Sequence, residues 1–121
     1  MARAPDEAWQ RLAQGEPQDL IVVFDDATIR EQAARLDNRS GISRDEAVIR
    51  FKAAQYAALK KNVLSSLPAG EAEVLRDYDA LPLMFIRFRS ATALKALLAH
   101  PAVLRAYEDR RESPIPVKPE R

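Results

Sequence analysis

The 121-residue chain has no cysteine, one histidine and three glycines, and no apolar run approaches the roughly 20 residues that cross a bilayer. Without cysteine there is no disulfide, no thiolate zinc site and no thiol nucleophile. A single histidine leaves too few nitrogen or sulfur ligands for a transition-metal centre. Excess charge of one sign is also missing. Nineteen basic side chains face eighteen acidic ones, a formal net charge of +1, so no general attraction draws the chain to phosphate backbones. Neither a Walker loop nor a G-x-G-x-x-G run is present. The first residues, Met1-Ala2-Arg3-Ala4-Pro5-Asp6-Glu7, carry acids where a signal peptide needs an apolar stretch.

Apolar residues make up 47% and charged residues 31%, the balance of one soluble globular domain with a modest core. Gly15, Gly41 and Gly70 lie between periodic segments and read as breakers. Pro5 to Gln14 predicts a short helix, with Trp9 and Leu12 three apart. Leu20-Ile21-Val22-Val23-Phe24 is the strongest strand signal, and its continuous apolarity predicts a central position. Asp25-Asp26 ends it. Ala27 to Leu36 predicts a second helix, and Asp37 to Gly41 a loop. Ser43-Arg44-Asp45-Glu46 has the spacing of a capping box and predicts a long helix to about Leu67, its apolar face running from Val48 to Leu67, with Lys52, Lys60 and Lys61 pointing elsewhere.

Ala72 to Tyr78 alternates weakly (Val74, Arg76, Tyr78). Leu83 to Arg89 alternates clearly, with Met84, Ile86 and Phe88 on one face and Leu83, Phe85, Arg87 and Arg89 on the other. Ser90 suits the N-cap of a helix from Ala91 to Ala99, ended by His100-Pro101. Val103 to Asp109 predicts the last strand. Parity there puts Val103, Arg105, Tyr107 and Asp109 on one face, with Leu104, Ala106 and Glu108 on the other, Leu104 and Ala106 toward the core. The order strand, helix, strand, strand, helix, strand predicts an α+β, ferredoxin-like βαββαβ fold. Two right-handed crossovers place the helices on one face of a four-stranded antiparallel sheet and leave the other face uncovered. Residues 1–17 form a helical N-terminal extension, 18–110 the ferredoxin-like body, and 111–121 an extended tail stiffened by Pro114, Pro116 and Pro119.

Catalytic chemistry finds little support. His100 reads as a residue at a helix C-terminus, where no nucleophile accompanies it. Asp25-Asp26 reads as a strand stop and helix N-cap, not as a carboxylate pair for catalysis. The sequence predicts no metal and no cofactor. An open sheet face can bind RNA by stacking, but paired aromatics with the accompanying glycine are absent, and Arg87 and Arg89 read as a solvated strand surface.

From Leu20 to Asp109 the chain resembles the propeptides of subtilisin-like serine proteases. The resemblance rests on Leu20 to Phe24, on Tyr56-Ala57-Ala58-Leu59-Lys60-Lys61-Asn62-Val63-Leu64, and on Tyr78-Asp79-Ala80-Leu81-Pro82. It continues through Ala93 to Val103, which holds the helix–Pro–x–Val transition into a strand, and the ending Tyr107-Glu108-Asp109. It implies a non-enzymatic inhibitor and intramolecular chaperone of such a protease, acting in cis or in trans. In that family the uncovered sheet face seats on two surface helices, acids at the end of the last strand cap those helices, and the tail enters the substrate cleft. A carboxylate at a helix N-terminus gains charge-assisted hydrogen bonds there. Tyr107 stands where one such acid is expected, leaving Asp109, with Glu108 able to contribute if the strand end twists. Asp109 reads equally as a strand-ending turn residue.

The contact residues this implies are Tyr78, Phe85, Arg87, Arg105, Tyr107, Glu108 and Asp109 on the body, with Ser113, Ile115 and Val117 in the tail. The tail can pair with a protease's main chain or serve as a linker, since each apolar residue follows a proline that lacks a donor. A signal-bearing precursor would place the domain outside the cytoplasm; a chain complete as given would remain inside. No membrane or nucleic-acid partner is expected. The alternative is a ferredoxin-like regulatory or ligand-binding module that dimerises through its sheet. The insertion from Ala27 to Glu46 has no assigned role.

Overall fold

The computed structural model describes residues 2–39 and 44–108. Its elements run α1 (Asp6–Ala13), β1 (Gln18–Phe24), α2 (Ala27–Arg39), α3 (Arg44–Ser65), β2 (Ala72–Tyr78), β3 (Leu83–Phe88), α4 (Ala91–Ala99) and β4 (Val103–Glu108). The strands form one antiparallel sheet in the order β2-β3-β1-β4. This is the ferredoxin-like arrangement, with α1 as an addition before β1.

Local chemistry sets the element ends. Pro5 stands at the N-cap of α1, and its carbonyl accepts from the amides of Ala8 and Trp9. The helix closes when the Gly15 amide reaches the Leu12 carbonyl and the Glu16 amide reaches that of Arg11, a reversal that needs a left-handed residue, supplied by Gly15 at φ +86°. Ser90 caps α4 by accepting from the Ala93 amide at 3.1 Å, while its hydroxyl donates to Glu71. α2 continues through Arg39, past the expected end at Leu36. Aspartate and asparagine weaken a helix by only a fraction of a kcal/mol, and no glycine or proline intervenes before Gly41. α3 stops at Ser65, two residues early, as the chain approaches Pro68. It begins at Arg44, as the capping box predicted; Ser43 lies outside the described residues, and the Glu46 carboxylate pairs with Arg50 at 2.5 Å.

One continuous core joins the sheet to α1, α3 and α4. Leu20, Val22 and Phe24 of β1 and Met84, Ile86 and Phe88 of β3 meet Ala8, Leu12, Val63, Leu94, Leu97 and Leu98. Only the second half of α3, from Leu59 onward, joins this cluster. A 22-residue helix is about 33 Å long, well beyond the sheet it crosses. α3 also packs against α2, so the Ala27–Glu46 insertion adds a helix beside the first crossover.

Two β-bulges correct the parity read from the sequence. On β4, Val23 pairs with Arg105 and Phe24 with Val103, which leaves Leu104 as an extra residue. Val103 therefore turns into the core beside Ala106, and Leu104 is 53% exposed, the reverse of the expectation for both. On β2, Leu75 is the extra residue, and Val74 faces Ile86 while Arg76 faces Phe85. Lys60 is a further correction. It is 3% exposed, and its ammonium reaches from α3 to Asp77 Oδ1 (2.6 Å) and the Tyr78 carbonyl (2.8 Å).

The β4 bulge sets opposite costs for two adjacent residues. Val103→Ala is expected to destabilise the chain by about 1–3 kcal/mol, through lost burial and a cavity. Leu104→Ala is expected to stay within about 0.5 kcal/mol. Urea unfolding of both variants checks this; unbroken strand alternation would give the reverse order.

Candidate functional site

Cross-strand register defines the second face of the sheet. Residues directly opposite in antiparallel strands share a face. One row across β2, β3, β1 and β4 is Arg76, Phe85, Ile21, Tyr107; the next is Tyr78, Leu83, Val23, Arg105. A third row holds Glu73, Arg87 and Asp19. Four of the sequence-predicted contact residues on the body thus share this face with Tyr78, namely Phe85, Arg87, Arg105 and Tyr107.

None of the described helices buries its side chains against these rows. The buried residues of α1 and α4, and Val63 of α3, belong to the core on the opposite face. Ile29, Ala33 and Tyr56 are buried outside that core, in the segments where α2 and α3 pack together. Ile21 is nevertheless 3% exposed. Its flanking neighbours Phe85 and Tyr107 cover it from either side. Leu83, Phe85 and Val23 are half-buried, and Tyr107 is exposed. The centre of the face is an apolar strip that no described helix packs against.

Charge on the face is partly neutralised. Arg87 donates to both Asp19 oxygens, at 2.8 and 3.1 Å, a two-pronged contact that holds its pKa above the ordinary arginine value. Arg89 pairs with Glu73 at 2.6 Å. Arg76 and Arg105 differ. Among the described residues neither has an acidic partner within 4 Å, and each lies over a tyrosine ring on its own strand: Arg76 at 5.8 Å from the Tyr78 centroid, Arg105 at 5.5 Å from that of Tyr107. The two guanidinium–tyrosine pairs occupy opposite corners, and the apolar strip lies between them.

Glu108 is placed elsewhere. It stands opposite Leu20 on the helix-covered face, 3.5 Å from Arg11 of α1. Asp109, Ser113, Ile115 and Val117 lie outside the described residues. Sequence reasoning missed Ile21, Leu83, Val23 and Arg76 as members of the open face. The first three follow from the parity of β1 and β3 and Arg76 from its parity with Tyr78; the Leu75 bulge instead moves Val74 to the other face.

Other candidates resolve into local structure. Asp25 accepts from the Ala27 amide at 3.1 Å, and Asp26 binds Arg30 (2.9 Å) and the Tyr56 hydroxyl (2.8 Å), so the pair starts α2 and ties it to α3. Burial, followed by that hydrogen bond to Asp26, pushes the Tyr56 pKa up to about 12. His100 Nδ1 accepts from the Ala102 amide at 3.0 Å and shapes the turn into β4. No cluster of three metal-ligating side chains occurs among the described residues. An open groove of about 440 Å³ lies between α3 and the β2–β3 ribbon, lined by Ala57, Lys60, Lys61, Leu64, Ser65, Asp77 and Met84. No described helix is long and apolar enough to cross a membrane. Comparison with family models, curated proteins and solved structures finds no match for this chain.

Two of these contacts have measurable consequences. Asp77→Asn leaves the buried Lys60 ammonium without its counter-charge and is expected to cost about 1–2 kcal/mol, below the full buried-pair penalty because Asp77 is itself solvated. Asp77→Asn/Lys60→Met is expected to recover much of that loss in chemical denaturation. Tyr56, with its folded pKa raised, contributes stability that is complete below pH 10 and is lost as pH rises through about 12. Tyr56→Phe should flatten the fall in melting temperature across that window.

Proposed function

We propose that this chain is a propeptide-type inhibitor and folding chaperone of a subtilisin-like serine protease, and not an enzyme. The carrying observation is a sheet face that no described helix covers, on which Tyr78, Phe85, Arg87, Arg105 and Tyr107 lie together. The body folds as the resemblance implies, and the face offers an apolar strip with a polar rim, the anatomy of a protein-docking surface. Docking there positions residues 109–121 to extend toward the partner's cleft and block it without covalent chemistry. Asp109 is the remaining acid near the end of β4, since the Glu108 carboxylate is held at Arg11. The setting this reading implies is a secreted or periplasmic precursor, with the inhibitor acting in cis or in trans.

A sheet-to-sheet homodimer draws less support. Arg76 and Arg105 would bring like charge into the interface, and the described acids of this face, Asp19 and Glu73, are already paired with Arg87 and Arg89. The test is inhibition of a panel of subtilisin-type proteases by the full chain. Saturable inhibition is expected, weakened at least tenfold by removal of residues 110–121 and by Phe85→Ala, without cleavage being needed for potency. Absence of inhibition across the panel, together with a concentration-dependent dimer in sedimentation, would reject the reading.

A further inference from the structure

The helical layer stops short of the edge strand β2. Val74 and Asp77 face the helix side, opposite Ile86 and Met84, yet both are exposed. Beside α3 this strip forms the groove of about 440 Å³, a volume within the ~300–1,000 Å³ range of small-ligand sites. Ala57, Lys61 and Leu64 follow at i, i+4 and i+7, with Lys60 between them, so one face of α3 makes the wall. Met84 and Asp77, directly opposite one another on β3 and β2, make the floor.

Lys60 sets the chemistry of the groove. Its side chain is 3% exposed, and an ammonium has three N–H donors. Asp77 Oδ1 and the Tyr78 carbonyl take two, which leaves one for the groove that Lys60 lines. Lys61 is exposed and has no acidic partner within 4 Å among the described residues. Ser65 adds no donor, since its hydroxyl goes to the Asn62 carbonyl. Two cations thus face one carboxylate across an apolar trough. We infer that the groove binds a small organic monocarboxylate, its carboxylate on Lys60 and Lys61 and its apolar body along Ala57, Leu64 and Met84. One negative charge balances the site at two cations and two anions, whereas a phosphate dianion would leave it negative beside Asp77. The groove lies on the helix side of the sheet, away from the proposed docking face, so the inference does not depend on the partner there.

The test titrates sodium octanoate into the full chain, followed by amide chemical shifts. Saturable shifts at Lys60, Leu64, Asp77 and Met84 are expected below about 10 mM, with 1-octanol and octylammonium at least tenfold weaker. Lys61→Gln should weaken binding about two- to fivefold, the range for an exposed ion pair. Ala57→Phe, which fills the trough from an exposed helix position, should abolish it while the chain still melts cooperatively. Asp77→Asn should tighten octanoate binding at least threefold, because the ligand then replaces the missing counter-charge of Lys60. Octanoate should therefore raise the melting temperature of Asp77→Asn more than that of the parent chain, and octylammonium should raise neither. A capped dipeptide ending in leucine, compared with its C-terminal amide, tells a peptide terminus from a free acid as the source of the carboxylate. Equal binding of octanoate and 1-octanol, tighter binding of octyl phosphate, shifts confined to Phe85 and Tyr107, or no saturation by about 10 mM overturns the inference.

Discussion

Everything on the open face depends on the register of β1 between its two neighbours. That strand alternates Leu20, Val22 and Phe24 into the core with Ile21 and Val23 onto the other face, and its pairing fixes which side chains of β3 and β4 stand beside them. A slip of β1 by one residue would exchange its two sets and put Ile21 and Val23 where Leu20, Val22 and Phe24 pack. The core prevents this. Leu20, Val22 and Phe24 are each almost fully buried, and all three would have to leave together. The surface chemistry is thus held in place by packing on the side it does not touch.

The polar contacts serve a different purpose. Exposed ion pairs such as Arg89 with Glu73 add little stability. Asp19 with Arg87 does more by geometry, because two parallel hydrogen bonds fix a guanidinium that would otherwise sweep over the strip. Lys60 ties the first crossover helix to the edge strand through Asp77 and the Tyr78 carbonyl. That bond anchors the backbone of Tyr78, the residue beneath Arg76. The helical layer and one corner of the open face are connected through a single buried ammonium.

Most of the fold was legible in the sequence because its signals are local and redundant. The apolar run of β1, the alternation of β3, the Ser90 cap and the Pro-Gly punctuation around the long helix all point to the same topology. The bulges were not legible. Nothing in Val103-Leu104-Arg105 or Val74-Leu75-Arg76 marks an inserted residue; the extra residue is decided by how each edge strand twists against its neighbour. Val103 and Leu104 lost their expected faces in this way, although Arg105, Ala106, Tyr107 and Glu108 kept theirs because they lie beyond the bulge. Lys60 was misread for a related reason: a helical face pattern has no information on an aspartate and a carbonyl supplied by a strand that follows it in sequence. The paired arginines became visible as a set only once register had brought β2 and β4 to opposite corners.

The N-terminal segment has its own bearing on the site. Ala106 donates its amide to the Arg3 carbonyl at 2.9 Å, and the Ala2 amide reaches the Leu98 carbonyl at the end of α4. A short clasp thus occupies the outer edge of β4 beside the two residues that form one corner of the face. Stickiness and shape are thereby governed from one place. With the clasp seated, an edge that invites stray strands is spoken for at that position, and Arg105 and Tyr107 stand on a backbone supported from both sides. Were it to lift, the same few residues would soften the docking corner and expose a template for unwanted assembly, so the opening stretch of the chain acts as the keeper of its farthest strand.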